Sequence, residues 1–395
     1  MSLRSIELIH AAVPLKKAIK HASHERTTSD NLVVRATLRS GEVGYGEGVP
    51  RPYVTGETID SAFEMLRGFD VARVVGEPGD YQALVRSLEG LVLPETRNDP
   101  RGMMGNAARC ALELALLDAY GRRFRTSVSS AIRGVEAIRP YLAAKPSPVR
   151  YSGAITAETE RKERISAWKM RIWGFHQVKI KVGVPGQDDP KRLETLRKIL
   201  GRRMDIRLDA NEAWKAEEVL DRMEPLKPFG PSAIEQPVRH EEVDALADLR
   251  PKMGIPVMLD ESLCGRPDAE RAIERGLADI LNVRISKCGG LIPSLEIAAL
   301  AFRNGLDVQL GCHPGETAIL SAAGRHFASN VVNLRYVEGS YDKHILGANV
   351  VMAENDISFG YGGRARPLGG AGLGIAVDRQ ALEAFSVRRE EVVYD

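Results

Sequence analysis

The chain has 395 residues, 44% of them hydrophobic and 27% charged, with a formal net charge of +2. That length suits one large domain plus a smaller one, and the composition is that of a folded globular protein. A charge so near zero gives no reason to expect nucleic acid or an anionic membrane as a partner. No run of about 18 apolar residues occurs, MSLRSIELIH lacks a basic-then-apolar leader pattern, and the four cysteines form no CxxC pair. A soluble protein in a reducing, cytoplasmic setting is expected. Cys264, Cys288 and Cys312 each fall beside a predicted strand end and read as small buried thiols.

In chain order, IELIHAAVPL, NLVVRATLRSG and VGYGEG read as strands joined by polar loops. TIDSAFEMLRGF, DYQALVRSLEGLV and NAARCALELALLDAYGRRF then show apolar residues at helical spacing. Strands followed by helices predict an α+β domain of its own over residues 1–130. From Val149 the pattern becomes a regular alternation. Its candidate strands are VRYSGAI, QVKIKV, DIRLDA, SAIEQP, IPVMLDE, ILNVRIS, DVQLGC and VNLRYVEG. Helical stretches such as DPKRLETLRKIL, AEEVLDRMEPL and PDAERAIERGL lie between most of them. Eight strands with intervening helices predict an α/β fold, a (β/α) barrel over residues 149–364, with an open doubly wound sheet as the structural alternative. The Gly-rich GYGGRARPLGGAGLGIAV and the residues after it, about 365–395, are expected to return over the first domain. GAGLG within that segment lacks the third glycine and the preceding strand of a dinucleotide loop.

Three carboxylates, Asp209, Glu235 and Asp260, stand 26 and 25 residues apart, each at the end of a short apolar run. That spacing is one strand, one helix and two loops, so in a barrel all three project from the same rim. Three hard oxygen donors describe a Mg²⁺ site, with Mn²⁺ as a possible substitute, better than a zinc site. A lone Asp at a strand end is as readily a helix N-cap, but three at consecutive strand ends are not explained that way. Asn211, on the same face as Asp209, is placed to complete the metal's surroundings or touch substrate. Glu261 is expected to point away, into an ion pair with a neighbouring strand.

Lys179 and Lys181 are two apart on a strand and share a face. On an edge strand such a pair is merely solvated. Set among valines and isoleucine, and ahead of three carboxylates, it is expected inside the barrel rim. Two adjacent ammonium groups beside a divalent cation lower a lysine pKa from about 10.4 towards neutrality, which a general base needs. Lys287 is read as the end of the sixth strand, across the barrel from the second. A lysine on each side of a substrate can remove a proton from one face and return it on the other. His313 and Glu316, in LGCHPGET, are weaker candidates for substrate contacts. Lys16, Lys17, Lys20, His21, His24 and Arg26, with Arg51 and Tyr53 of PRPYVTGET, read either as solvated loop charge or as a lid carrying an anion-binding group.

Taken together these motifs resemble the enolase superfamily, specifically its muconate-lactonizing-enzyme subgroup, over nearly the whole chain. GYGEG, TGET and NAARCALELALLDAYGRR resemble its capping domain. KIK, LDANEAW, IEQP, LDES and RISKCGG resemble the barrel strand ends in order, and GAGLGIAVD the returning segment. The resemblance implies a modified TIM barrel with an N-terminal α+β capping domain completed by the C-terminal segment. It implies Asp209, Glu235 and Asp260 as Mg²⁺ ligands, Lys181 and Lys287 as bases, and Lys179 as the residue that modulates Lys181. The implied reaction is Mg-dependent abstraction of the proton α to a carboxylate through an enediolate. Racemisation, epimerisation or cycloisomerisation of a small carboxylate follows, so the chain reads as an isomerase and a homo-oligomer. A dehydratase or synthase of the same subgroup (acid-sugar, hydroxy-amino-acid or succinylbenzoate type) and a catalytically silent metabolite-binding homologue are the alternatives. Three carboxylates kept with three lysines argue against silence. Dipeptide epimerases resemble this chain in lysine chemistry but carry Asp-x-Asp after the eighth strand. Here RYVEGSYDK offers Glu338 and Asp342 at a different spacing, with Glu338 a candidate substrate contact. A His–Asp dyad of the mandelate-racemase kind does not fit Lys287.

Overall fold

The computed structural model describes residues 2–20, 25–94, 99, 101–156, 159–352, 354 and 356–394, without the side chains of residues 19, 20 and 25. His21, His24 and the Lys20 side chain of the expected lid therefore lie outside the described residues. The N-terminal segment forms an antiparallel sheet of Leu3–Lys20, Glu25–Leu38 and Val43–Gly48, and a late strand, Ser386–Val393, pairs with its first strand. That last strand carries alternating exposed and half-buried residues without a strong apolar face, which is why its sequence gave little signal. On the third strand Gly44, Gly46 and Gly48 lie against the helix Asn106–Arg123. A Cβ at Gly46 would stand 2.0 Å from the Ala111 carbonyl oxygen, so the helix backbone rests directly on glycine.

All eight predicted barrel strands are present: Gly153–Ile155, Gln177–Lys181, Asp205–Asp209, Pro231–Glu235, Val257–Leu259, Ile280–Val283, Asp307–Leu310 and Leu334–Val337. They form one parallel sheet in sequential order, and the Ser152 N–H donates to the Val337 carbonyl (2.8 Å), joining the two end strands. The open doubly wound alternative does not fit this order. Buried Ala233, Met258, Ile280 and Tyr336 form a small apolar cluster of their own at the foot of the barrel. The expected helix at AEEVLDRMEPL shortens to Val219–Met223 between two 3₁₀ turns. Pro225 and Pro228 remove the donors a longer helix needs.

The first two strands run on past their sheet as a long hairpin, from Leu3 paired with Leu38 to Lys20 paired with Glu25. This hairpin lies on the loops after the seventh and eighth barrel strands. Asn31 Nδ2 donates to the Gly315 carbonyl (2.9 Å), and the Gly347 N–H to the Pro14 carbonyl (2.7 Å). Glu47 of the third strand clamps the same region, accepting from Asn31 and from the N–H groups of Thr317 and Leu320 at the start of the helix Ala318–Asn330. The Gly-rich return packs on the helix 106–123, where Leu373 N–H donates to Asp118 and Arg122 to the Ile375 carbonyl. Among the described residues no helix is long and apolar enough to cross a membrane. Cys110, Cys264 and Cys288 are buried free thiols, and Cys312 is half-buried.

Candidate active site

Period-2 alternation carries charged residues into the barrel mouth from several strands. The second strand contributes Lys179, buried, and Lys181, half-buried at the rim. Lys179 Nζ stands 3.3 Å from Asp209, 3.6 Å from Glu235 and 3.0 Å from Glu338. Burial works against its charge, but Glu235, Glu338 and Asp209 together hold its pKa well above the ordinary lysine value. Lys179, expected as the neighbour that modulates Lys181, is also the counter-ion of three carboxylates. The Lys181 ammonium has no ion pair or hydrogen bond among the described residues.

Asp209 ends the third strand and Glu235 the fourth, while Asp260 follows the fifth. All three are buried. Asp209 Oδ1 accepts from the Asn211 N–H (3.1 Å), and Glu235 Oε1 from Asn282 Nδ2 (2.8 Å). Asp260 is held differently, with Lys287 Nζ 2.7 Å from Oδ1 and the Arg284 guanidinium on Oδ2. Burial alone would raise the Asp260 pKa, but Arg284 and then Lys287 keep it well below the usual carboxylate range. The three carboxylates thus do not meet at one point. Asp209 and Glu235 face each other across Lys179, and Asp260 is drawn towards the sixth strand. Among the described residues no three Asp, Glu, His or Cys groups stand close enough to hold an ion as they are. The donor chemistry nevertheless suits a hard divalent cation, being all oxygen, and Glu235 Oε2 is buried with no hydrogen-bond partner.

The sixth strand departs most from expectation. It ends at Val283, and Lys287 lies four residues on, inside a turn, 1% exposed. Its ammonium donates to the Asp260 carbonyl (2.5 Å), Asp260 Oδ1 (2.7 Å) and the Asn282 carbonyl (3.1 Å), so all three protons are in use. Asn106 Nδ2 fixes the turn through the Lys287 carbonyl (2.8 Å). Lys287 is therefore not a rim residue. The inward positions here are Asn282, within the strand, and Arg284, one residue past its end, and sequence reasoning missed both. The period-2 argument applied to KIK selects them when applied to N-V-R.

The weaker candidates divide. Glu338 joins Arg207 and Lys179 in a buried ion cluster, with Arg207 also stacked 4.8 Å over Tyr336, so its charge is balanced within the barrel interior. Glu316 accepts from the His313 N–H and the Ser321 hydroxyl, both 3.1 Å, and builds its own loop. Asn211 Nδ2 donates to Glu261 (3.2 Å) while its Oδ1 is buried without a partner. Glu261 thus takes a hydrogen bond rather than the expected ion pair. His313 is buried with both ring nitrogens unpartnered. Burial, then Arg284, Arg51 and Lys287, push its pKa well below the ordinary value, so the ring is neutral. In the hairpin, Arg26 donates to the Pro314 carbonyl (2.6 Å), which brings the expected lid segment onto the seventh-strand loop. Arg51, 5% exposed, donates to the Asp30 and Pro50 carbonyls and the Ser29 hydroxyl. Neither guanidinium has a carboxylate partner among the described residues. Tyr53, at the edge of the same loop, is 36% exposed.

Comparison with known proteins agrees with this architecture. A family model described as enolase C-terminal domain-like matches residues 162–381. The chain is 28% identical to an L-Ala-D/L-Glu epimerase from Clostridium acetobutylicum, over 86% of this chain and 90% of that protein. It is 29% identical to muconate cycloisomerase 1 of Rhodococcus opacus, over 83% and 84%. Its fold matches a dipeptide epimerase from Cytophaga hutchinsonii complexed with Mg and the dipeptide D-Ala-L-Val, with a TM-score of 0.83 and 24% identity.

Proposed function

We propose, from the premise that this chain belongs to the enolase superfamily in its muconate-lactonizing-enzyme subgroup, that it is an isomerase in which Lys181 removes the proton α to a carboxylate. One observation carries this reading. In a barrel mouth where Lys179, Arg207, Arg284 and Lys287 are all committed to carboxylates, Lys181 is the amine left without a partner. Asp209, Glu235 and Asp260 would hold Mg²⁺, with Mn²⁺ as a substitute. Bound there, the ion supplies electrostatic stabilisation for charge developing on the substrate carboxylate. Lys179 keeps Asp209 and Glu235 turned into the mouth, and the hairpin 3–38 excludes water from it. A cap of residues 1–130 and 365–395 over a barrel of 149–364, in a cytoplasmic homo-oligomer, completes the reading.

Arg26 and Arg51 bear on the substrate. A buried guanidinium lacking a carboxylate is costly, and buried Arg51 with half-buried Arg26 beside the rim favours a substrate with a second anionic group. Burial, then Arg26, lower the Arg51 pKa to about 10, which an incoming anion would reverse. Incubation with Mg²⁺ and a library of such carboxylates in D₂O, read by mass and NMR, tests the function. Exchange that Lys181→Ala abolishes is the expected result. No exchange from any member, or exchange surviving in Lys181→Ala, would end the reading.

The stereochemical outcome divides two ways. The second and sixth strands stand opposite each other in an eight-stranded barrel, and Arg284, which keeps its proton, favours one-sided chemistry such as cycloisomerisation. A second reading rests on the unpartnered neutral ring of His313, which could return the proton on another face and so invert the centre. Retention against inversion in the exchanged product separates them.

A further inference from the structure

Asp260 is the only one of the three strand-end carboxylates with a basic side chain on each of its two oxygens, and those two side chains are not equivalent. Lys287 is enclosed and fully hydrogen-bonded, with three acceptors for three protons. Removing it would leave a hole and an unbalanced charge, the signature of a structural ion pair. Arg284 touches Asp260 at one corner only, through Nη2, and its Nε is buried without a partner. A guanidinium offers five donors in a planar fork, and a purely structural role would use more of them. Its backbone carbonyl is fixed by the Cys288 N–H (2.9 Å), so its Cα is anchored while its head group is under-bonded.

We propose that Arg284 is a displaceable counter-cation: it holds Asp260 when no divalent ion is bound, competes with that ion for the carboxylate, and gives up Oδ2 when the ion binds. The inference rests on the metal reading above but adds to it a residue which that reading does not need. Charge balance supports it. Asp209, Glu235, Asp260, Glu261 and Glu338 carry five potential negative charges in the mouth, against Lys179, Arg207, Arg284 and Lys287, four fixed cations, with Lys181 beside them. Such a cluster is nearly neutral without metal, and a divalent ion must work against a guanidinium already in place. Once displaced, the guanidinium remains in the mouth opposite Lys181 as a fixed positive charge for a substrate oxygen, and it cannot act there as a base.

The test is direct metal binding by the full chain, free of any substrate. Mn²⁺ affinity is measured by electron paramagnetic resonance of the free ion, and Mg²⁺ affinity by calorimetry, for the protein and its Arg284→Gln and Arg284→Lys variants. Thermal melting of each metal-free variant reports whether it is folded. The expected result is a Mn²⁺ dissociation constant lowered about tenfold or more in Arg284→Gln, and lowered by a smaller factor in Arg284→Lys, whose shorter cation still faces Asp260. If Arg284→Gln does not fold, Arg284→Lys alone decides the matter by the same sign. Unchanged or weaker binding in the folded variants would overturn the inference while leaving the metal reading intact. Binding by none of the three proteins would overturn both.

Discussion

The second and sixth strands face each other across the barrel, and each side brings two basic residues to the carboxylates of its mouth region, the second to Asp209, Glu235 and Glu338 and the sixth to Asp260, yet only one side keeps an uncommitted amine. On the second strand the residues are two apart and share a face, so Lys179 takes up Asp209, Glu235 and Glu338 and leaves Lys181 unpaired at the rim. On the sixth side the residues are three apart, one at the strand end and one in a turn, and both close on Asp260. The difference teaches that availability, not the number of lysines, locates the proton-moving group. A neighbour that satisfies the carboxylates is what leaves a lysine unpaired.

The sharpest way to break the comparison is to remove one lysine from each side. Lys181→Ala should lower α-proton exchange by about 10²–10⁴-fold, the usual contribution of a general base, with the melting temperature unchanged because its ammonium holds nothing together. Exchange assays and thermal melting on the same preparation check both halves. Lys287→Ala should do the reverse and cost about 3 kcal/mol of folding stability. That is the low end for breaking a buried pair, since Arg284 still covers one Asp260 oxygen. Denaturant titration reads it, and an unaltered midpoint with lost exchange would make Lys287 the second base after all.

Sequence alone made much of this architecture legible. Eight apolar runs at a βα spacing gave the barrel, and carboxylates at three strand ends gave its functional face. What the sequence hid was which way each side chain turns once the strand has ended. Lys287 looked like a strand terminus because RISK continues an apolar run, but the chain turns after Val283 and buries it. Glu338 looked like a substrate acid because the partner that occupies it, Arg207, is 131 residues away in the chain. Long-range charge pairing of this kind has no periodicity to read. Arg284 was within reach, since the alternation that selects Lys179 and Lys181 also selects Asn282 and Arg284.

A smaller effect sharpens the second-strand side. Glu338→Gln keeps the shape and an acceptor but removes one negative charge from the cluster of Lys179 and Arg207. Stability should fall by about 2 kcal/mol, less than for Lys287→Ala because the amide still accepts hydrogen bonds. KM should not change, because Glu338 faces the barrel interior, and steady-state kinetics beside denaturant titration separates the two. A rise in KM with stability unaltered would return Glu338 to the substrate.

The smallest expected effect lies where the hairpin meets the rim. Arg26 donates one hydrogen bond to the Pro314 carbonyl, and its Nη1 is buried with no partner. A carbonyl is a poor match for a guanidinium, whose planar fork suits a carboxylate or phosphate. If Arg26 meets a second anionic group of the substrate, Arg26→Ala should raise KM for a dianionic substrate by roughly fivefold, about 1 kcal/mol. The figure is low for a charged hydrogen bond because the site is partly open to solvent. For a substrate with a single carboxylate KM should not change, and kcat should be nearly unaltered for both, since Arg26 is held on the Pro314 carbonyl and takes no part in moving the proton. Added salt should narrow the gap between the two substrates in the parent protein and have little effect on the variant. Equal losses for both substrates would mean that Arg26 only fastens the hairpin to the seventh-strand loop, and the second anionic group would then have to be met by Arg51 alone.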